Sequence, residues 1–163
     1  MIKIDDWEFN VDLDTTMAHS SQEAEDHCIC GYCRNFYAAV DMVYPNLRAF
    51  LARFGVCIEA PDELIPYEPT AMEGFYAVCG SVLRFGSKPM SVDGLSICIA
   101  EPADLHVNVV CPEPCFVLNT GIIELPWVLD EKPEDVVSPA NEPSFLQDMT
   151  NRILGMFPED NIQ

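Results

Sequence analysis

Trp7, Phe9, Val11 and Leu13 alternate with Glu8, Asn10 and Asp12, a period of two that predicts a half-buried strand. Ile2 and Ile4 have the opposite parity, so a turn at Asp5-Asp6 is expected to fold the first residues back as a hairpin. Ser20 followed by Glu23 has the form of a capping box, which places a short acidic helical turn from Ser21 toward His27. Beyond Cys33 the period changes. Phe36, Tyr37, Val40 and Tyr44 share one helical face until Pro45-Asn46 interrupts the backbone. Leu47, Phe50, Leu51 and Phe54 then fall at i, i+3, i+4 and i+7, with Gly55 in the place of a left-handed cap.

From Ala60 to Thr70, Pro61, Pro66 and Pro69 remove backbone donors and predict an extended surface connection. Gly80 and the β-branched Val78 and Val82 favour a strand over Phe75 to Phe85. Asp93-Gly94 between Ser91-Val92 and Leu95 to Ile99 is a two-residue hairpin signal, because both positions tolerate positive φ. Leu105 to Cys111, Phe116 to Leu118 and Ile122 to Val128 read as further antiparallel strands, the last interrupted by Pro126. After an acidic, proline-bearing linker, Leu146, Met149, Ile153 and Phe157 predict a C-terminal amphipathic helix with Ser144 as cap. The order of helices, many strands and a last helix predicts an α+β fold with a mostly antiparallel sheet, in a single domain over 1–163.

Composition adds a constraint on partners. The chain carries 27 acidic and 8 basic side chains, a formal net charge of −19, yet 49% of its residues are hydrophobic, enough to bury a core. This charge repels phosphate backbones and anionic headgroups, so neither nucleic acid nor a membrane surface is expected as a partner; an acid surface that serves solubility is the first expectation, and a basic protein or a cation is the partner the charge leaves open. No apolar run is long enough for a membrane span, and the opening segment lacks the basic then apolar order of a signal peptide. A cytoplasmic location is therefore expected.

The chemistry concentrates in His27-Cys28-Ile29-Cys30-Gly31-Tyr32-Cys33. In a reducing compartment, cysteines this close are ligands or reactive thiols more often than disulfides. Cys30-x-x-Cys33 can supply two ligands to a tetrahedral Zn²⁺ from one tight turn, and Cys28 a third. His27, Cys111 and Cys115 are the candidates for the fourth position; His27 is handicapped as the chain neighbour of Cys28. A thiol oxidoreductase using the C-x-x-C pair is the competing reading, and inert buried thiols are a third. A thioredoxin-type setting would need parallel strands and crossover helices around the motif, which the pattern does not predict. Cys57, Cys79 and Cys98 stand singly in apolar runs and are expected in the core.

The segment HCICGYCRNFYAAVDMVYPNLRAFL resembles a family of small acidic bacterial proteins that carry HC-x-C-x-x-C-R-N before a helix and a later LPWVL segment. The likeness covers most of the chain. That family has no assigned activity, so the resemblance implies a shared fold and no function.

Other constellations carry less. Arg34 and Asn35 stand where they can bind carbonyls of the thiol loop. His19 and His106 are isolated, without a nucleophile and acid in triad order. Paired carboxylates such as Asp62-Glu63 are expected in any chain this acidic, and no phosphate-binding or calcium-binding loop motif occurs. Trp127 beside Pro126 is expected at a buried strand end rather than as an exposed recognition aromatic. The function expected is thus a non-enzymatic interaction module with a structural cysteine cluster able to take zinc. The alternatives are a thiol oxidoreductase and an acidic immunity or inhibitor protein for a basic partner.

Overall fold

A computed structural model of the chain describes residues 1–105, 107 and 109–133. The opening alternation folds as expected: β1 (Ile2–Ile4) pairs antiparallel with β2 (Trp7–Val11), with Ile4 opposite Trp7. Asp5 sits in the turn at φ 51°, a conformation its short polar side chain tolerates. The strand does not reach Leu13. Asp12 ends it by accepting the Thr15 N–H at 3.1 Å through Oδ1, which caps helix α1 (Leu13–Glu25). Ser20 and Glu23 therefore lie inside α1 and do not open a helix; the cap that governs this segment was hidden because Asp12 also fits the polar parity of the strand.

Helix α2 (Gly31–Val43) starts just before Cys33, with Cys30 as its cap residue, and α3 (Leu47–Ala52) follows the break at Pro45. Phe36, Val40, Leu47, Phe50, Leu51 and Phe54 are buried on the faces that the spacing indicates, and Gly55 takes φ 83°. Their packing against the sheet is aromatic: the Phe9 ring stands 5.2 Å from Phe54 and 5.4 Å from Phe116. Tyr76 is fully buried and satisfies its hydroxyl by donating to the Ile58 carbonyl at 2.9 Å.

The remaining strands are β3 (Glu63–Glu68), β4 (Ala71–Arg84), β5 (Met90–Val92), β6 (Leu95–Ala100) and β7 (Cys115–Glu124). They complete a seven-stranded antiparallel sheet in the order β1-β2-β4-β7-β6-β5, with β3 added to β4. The fold is α+β. The β5–β6 hairpin turns at Asp93 (φ 51°) and Gly94 (φ 86°), as the dipeptide requires. The proline-rich stretch expected as a connection contributes a strand instead. β3 has a single sheet neighbour, and an edge position tolerates the missing N–H of Pro66.

β4 organises the sheet. One of its edges pairs with β7; the other pairs with β3 near its start and with β2 near its end. Between β3 and β2 that second edge has no strand, and side chains close the gap. Thr16 Oγ1 accepts the Cys79 N–H at 3.0 Å, and Asp62 Oδ2 accepts the Ala77 N–H at 2.6 Å.

The three strands expected from Leu105 onward are corrected. Residues 105, 107 and 109–111 lie outside any strand, because β7 already has β4 and β6 on its two edges. The two expected over Phe116 to Leu118 and Ile122 to Val128 are one strand, β7, which ends at Glu124, since Pro126 has no N–H to give. The chain then crosses α2, and the buried Asn35 holds it at both ends: Nδ2 donates to the Pro126 carbonyl at 3.1 Å and Oδ1 accepts the Val128 N–H at 2.8 Å. Trp127 is partly buried there, donating from Nε1 to the Glu131 carbonyl at 2.6 Å. The expected C-terminal helix from Leu146 to Phe157, with its cap Ser144, lies outside the described residues. No helix among the described residues is long and apolar enough to cross a membrane.

Candidate metal centre

The thiols converge where α1 gives way to α2. Cys30, extended at φ −63° and ψ 162°, is the cap of α2, and Cys33 occupies its first turn. A residue at the cap and one three positions later share a face, which brings both thiols to the N-terminal end of the helix, although Cys30 makes no side-chain cap bond. Cys28 reaches the same point from the preceding loop, its Sγ 3.5 Å from the Cys30 N–H. The sulfurs of Cys28, Cys30 and Cys33 all lie within 4.8 Å of one another, and together they can hold a metal ion. Tetrahedral zinc thiolates have sulfurs roughly 3.8 Å apart, so small side-chain rotations suffice. Cys28 is exposed, Cys30 half-buried and Cys33 buried, so the group opens to solvent on one side.

The thiols are electrostatically unequal. Burial works to raise the Cys28 thiol, but the N–H and side chain of Cys30 and the side chain of Cys33 outweigh it and hold that thiol below its ordinary range. Cys33 moves the opposite way: burial first, and the charge of Cys30 second, push it far up. Burial, then the charge of Cys33, also raises the Tyr37 hydroxyl beside the group. Arg34 fastens the loop by donating from Nε to the Ile29 carbonyl at 3.0 Å and pairs with Glu131 on the crossing segment. Asn35 serves that crossing segment and not the thiol loop.

None of the three residues considered for a fourth ligand joins the sulfurs. His27 turns its ring edge-on to Tyr37 at 5.3 Å and directs Nδ1 to the Ala24 carbonyl. Cys111 and Cys115 are joined to each other as a disulfide around Pro112 and Pro114, which removes both as thiolate ligands. Glu63, at the start of β3, acts on the group by charge: it opposes ionisation of Cys28, its own carboxyl is raised by burial, and its oxygens are not among the donor atoms that lie within 4.8 Å of one another. Only the pairing of β3 with β4 brings it there, so no sequence spacing points to it.

The other cysteines divide. Cys79 is buried on β4, opposite Cys115 of β7, whereas Cys57 and Cys98 are exposed rather than in the core; Cys57 donates to Glu59 Oε2 at 2.9 Å. Every strand pairing among the described residues is antiparallel, so these residues give the C-x-x-C pair no thioredoxin-type surroundings. His19 is not isolated: its Nε2 lies 2.6 Å from Asp62 Oδ1. No family model matches the chain, and no curated protein or solved structure is significantly similar to it.

Proposed function

We propose that this chain is a small acidic, non-enzymatic interaction module in which Cys28, Cys30 and Cys33 hold Zn²⁺ as a structural clasp between the end of α1 and the start of α2. The observation that carries this reading is the convergence of the three sulfurs at a helix N-terminus. Thiolates are soft donors that suit zinc, the positive end of α2 offsets their charge, and the exposed side of the group leaves the remaining position to a water oxygen. A formal charge of −19 favours basic partners over polyanions. Elemental analysis of protein purified without chelator tests the clasp. About one zinc per chain is expected, and less than about 0.2 would remove it.

A thiol oxidoreductase is the second reading, and the observation in its favour is the lowered Cys28 thiol beside the C-x-x-C pair. Maleimide titration separates the two: bound zinc shields all three thiols, while a redox site leaves one cysteine reacting much faster than the others.

A further inference from the structure

A second cluster of metal-ligating side chains lies apart from the sulfurs. His19 and Glu23 are one turn apart on the same face of α1, and Asp62 arrives from the connection between α3 and β3. Their nitrogen and carboxylate donor atoms all lie within 4.8 Å of one another. His19 and Asp62 are buried, with side-chain exposures of 9% and 5%. We propose that His19, Glu23 and Asp62 bind a divalent first-row cation, in the range from manganese to zinc, at a nitrogen-and-oxygen site distinct from the thiols.

Charge favours a cation here. Two carboxylates meet around a single imidazole, and among the described residues neither is paired with a lysine or arginine: the other ion pairs engage Glu8, Asp41, Glu59 and Glu131. The Asp62 side chain is buried and Glu23 is half-buried, and bringing two negative groups together out of bulk water is costly unless positive charge is shared between them. A bound cation supplies that charge, and the acidic surface of the whole chain draws cations toward it.

Orientation supports the same reading. Asp62 is fixed from behind, because Oδ2 accepts the Ala77 N–H at 2.6 Å while Oδ1 faces His19. Opposite an ionised Asp62, the neutral ring would place its proton on Nε2. When a cation takes Nε2, the proton moves to Nδ1, which has no hydrogen-bond partner among the described residues. No covalent bond other than N–H is made or broken. His19 also lines a cavity of about 430 Å³ with Thr15, Gln22 and Cys111, and Glu23 is half-buried, so the group is not sealed from water. One imidazole and two carboxylates form a harder donor set than three thiolates and suit Mn²⁺ as well as Zn²⁺.

Mn²⁺ is the probe that separates the two sites, since thiolates compete poorly for it. The full chain is titrated with Mn²⁺ at about 0.15 M salt, which screens diffuse binding to surface acids, and free Mn²⁺ is followed by its paramagnetic resonance signal. One saturable Mn²⁺ per chain is expected, displaced by Zn²⁺. Its affinity should fall about tenfold or more in both Glu23→Gln and His19→Gln and stay unchanged in Cys33→Ser. The Glu23 side chain makes no hydrogen bond among the described residues, so Glu23→Gln is expected to keep the fold intact, and an unchanged melting curve verifies it. Absence of saturable binding, or binding that survives Glu23→Gln at full strength, would overturn the proposal and leave His19 and Asp62 as a hydrogen-bonded plug in the β4 edge.

Discussion

The two clusters of donor groups are built in opposite ways. Cys28, Cys30 and Cys33 come from six consecutive positions, are positioned by the first turn of α2, and open to solvent. His19, Glu23 and Asp62 are drawn together across the chain, and Asp62 is held by a backbone amide of the central strand. Removing a thiol should therefore disturb a helix end, whereas removing Asp62 should disturb a sheet edge. Local assembly makes a ligand group cheap to form and easy to recognise; assembly across the fold makes it rigid and invisible in the sequence. The adjacent residues Asp62 and Glu63 divide between the two clusters, one closing the β4 edge and the other acting on Cys28 by its charge.

The largest expected effect tests the local cluster. With free Zn²⁺ a thousandfold above its dissociation constant, binding to the folded chain alone adds about 4 kcal/mol to its stability. Urea unfolding with zinc and with excess chelator should show that difference, and Cys33→Ser should abolish it. Next comes the sheet edge. Thr16 is fully buried, so Thr16→Val leaves the Cys79 N–H without its acceptor and should cost about 1–3 kcal/mol in the same assay, with or without zinc. Asn35→Ala removes both ties to the segment crossing α2 and should cost about 2 kcal/mol, accompanied by a red shift of Trp127 fluorescence as its ring loosens.

The smallest effect is acidic. The Thr15 N–H, then its hydroxyl, lower the Asp12 carboxyl, which is ionised in the folded chain at a pH where the unfolded chain has begun to protonate it. Its contribution is present above the ordinary carboxylate range and is lost as pH falls through the lower, folded value. Asp12→Asn should thus flatten the acid limb of the stability profile, because asparagine caps α1 without titrating. A profile unchanged by that substitution would contradict the cap.

Much of the fold was legible wherever periodicity had one interpretation. The faces of α2 and α3, the first hairpin and the Asp93-Gly94 turn follow directly from spacing and turn chemistry. It failed where a residue suits two roles. Asp12 continues a strand's polar parity and also caps a helix, and Pro66 breaks a central strand but not an edge one. Residues 105–111 alternate like a strand, yet no free edge beside β7 remains for them. At the candidate centre, the thiols were readable because they are neighbours. Glu63 was not, because its approach depends on β3 pairing with β4, and the disulfide between Cys111 and Cys115 withdrew two residues that composition alone left available.

Zinc K-edge absorption spectroscopy of the full chain loaded with one equivalent of Zn²⁺ tests the central claim most directly. Three sulfurs at about 2.3 Å and one lighter atom at about 2.0–2.2 Å are expected. A first shell of nitrogen and oxygen alone, or protein that retains no zinc after desalting, would contradict a clasp built from Cys28, Cys30 and Cys33.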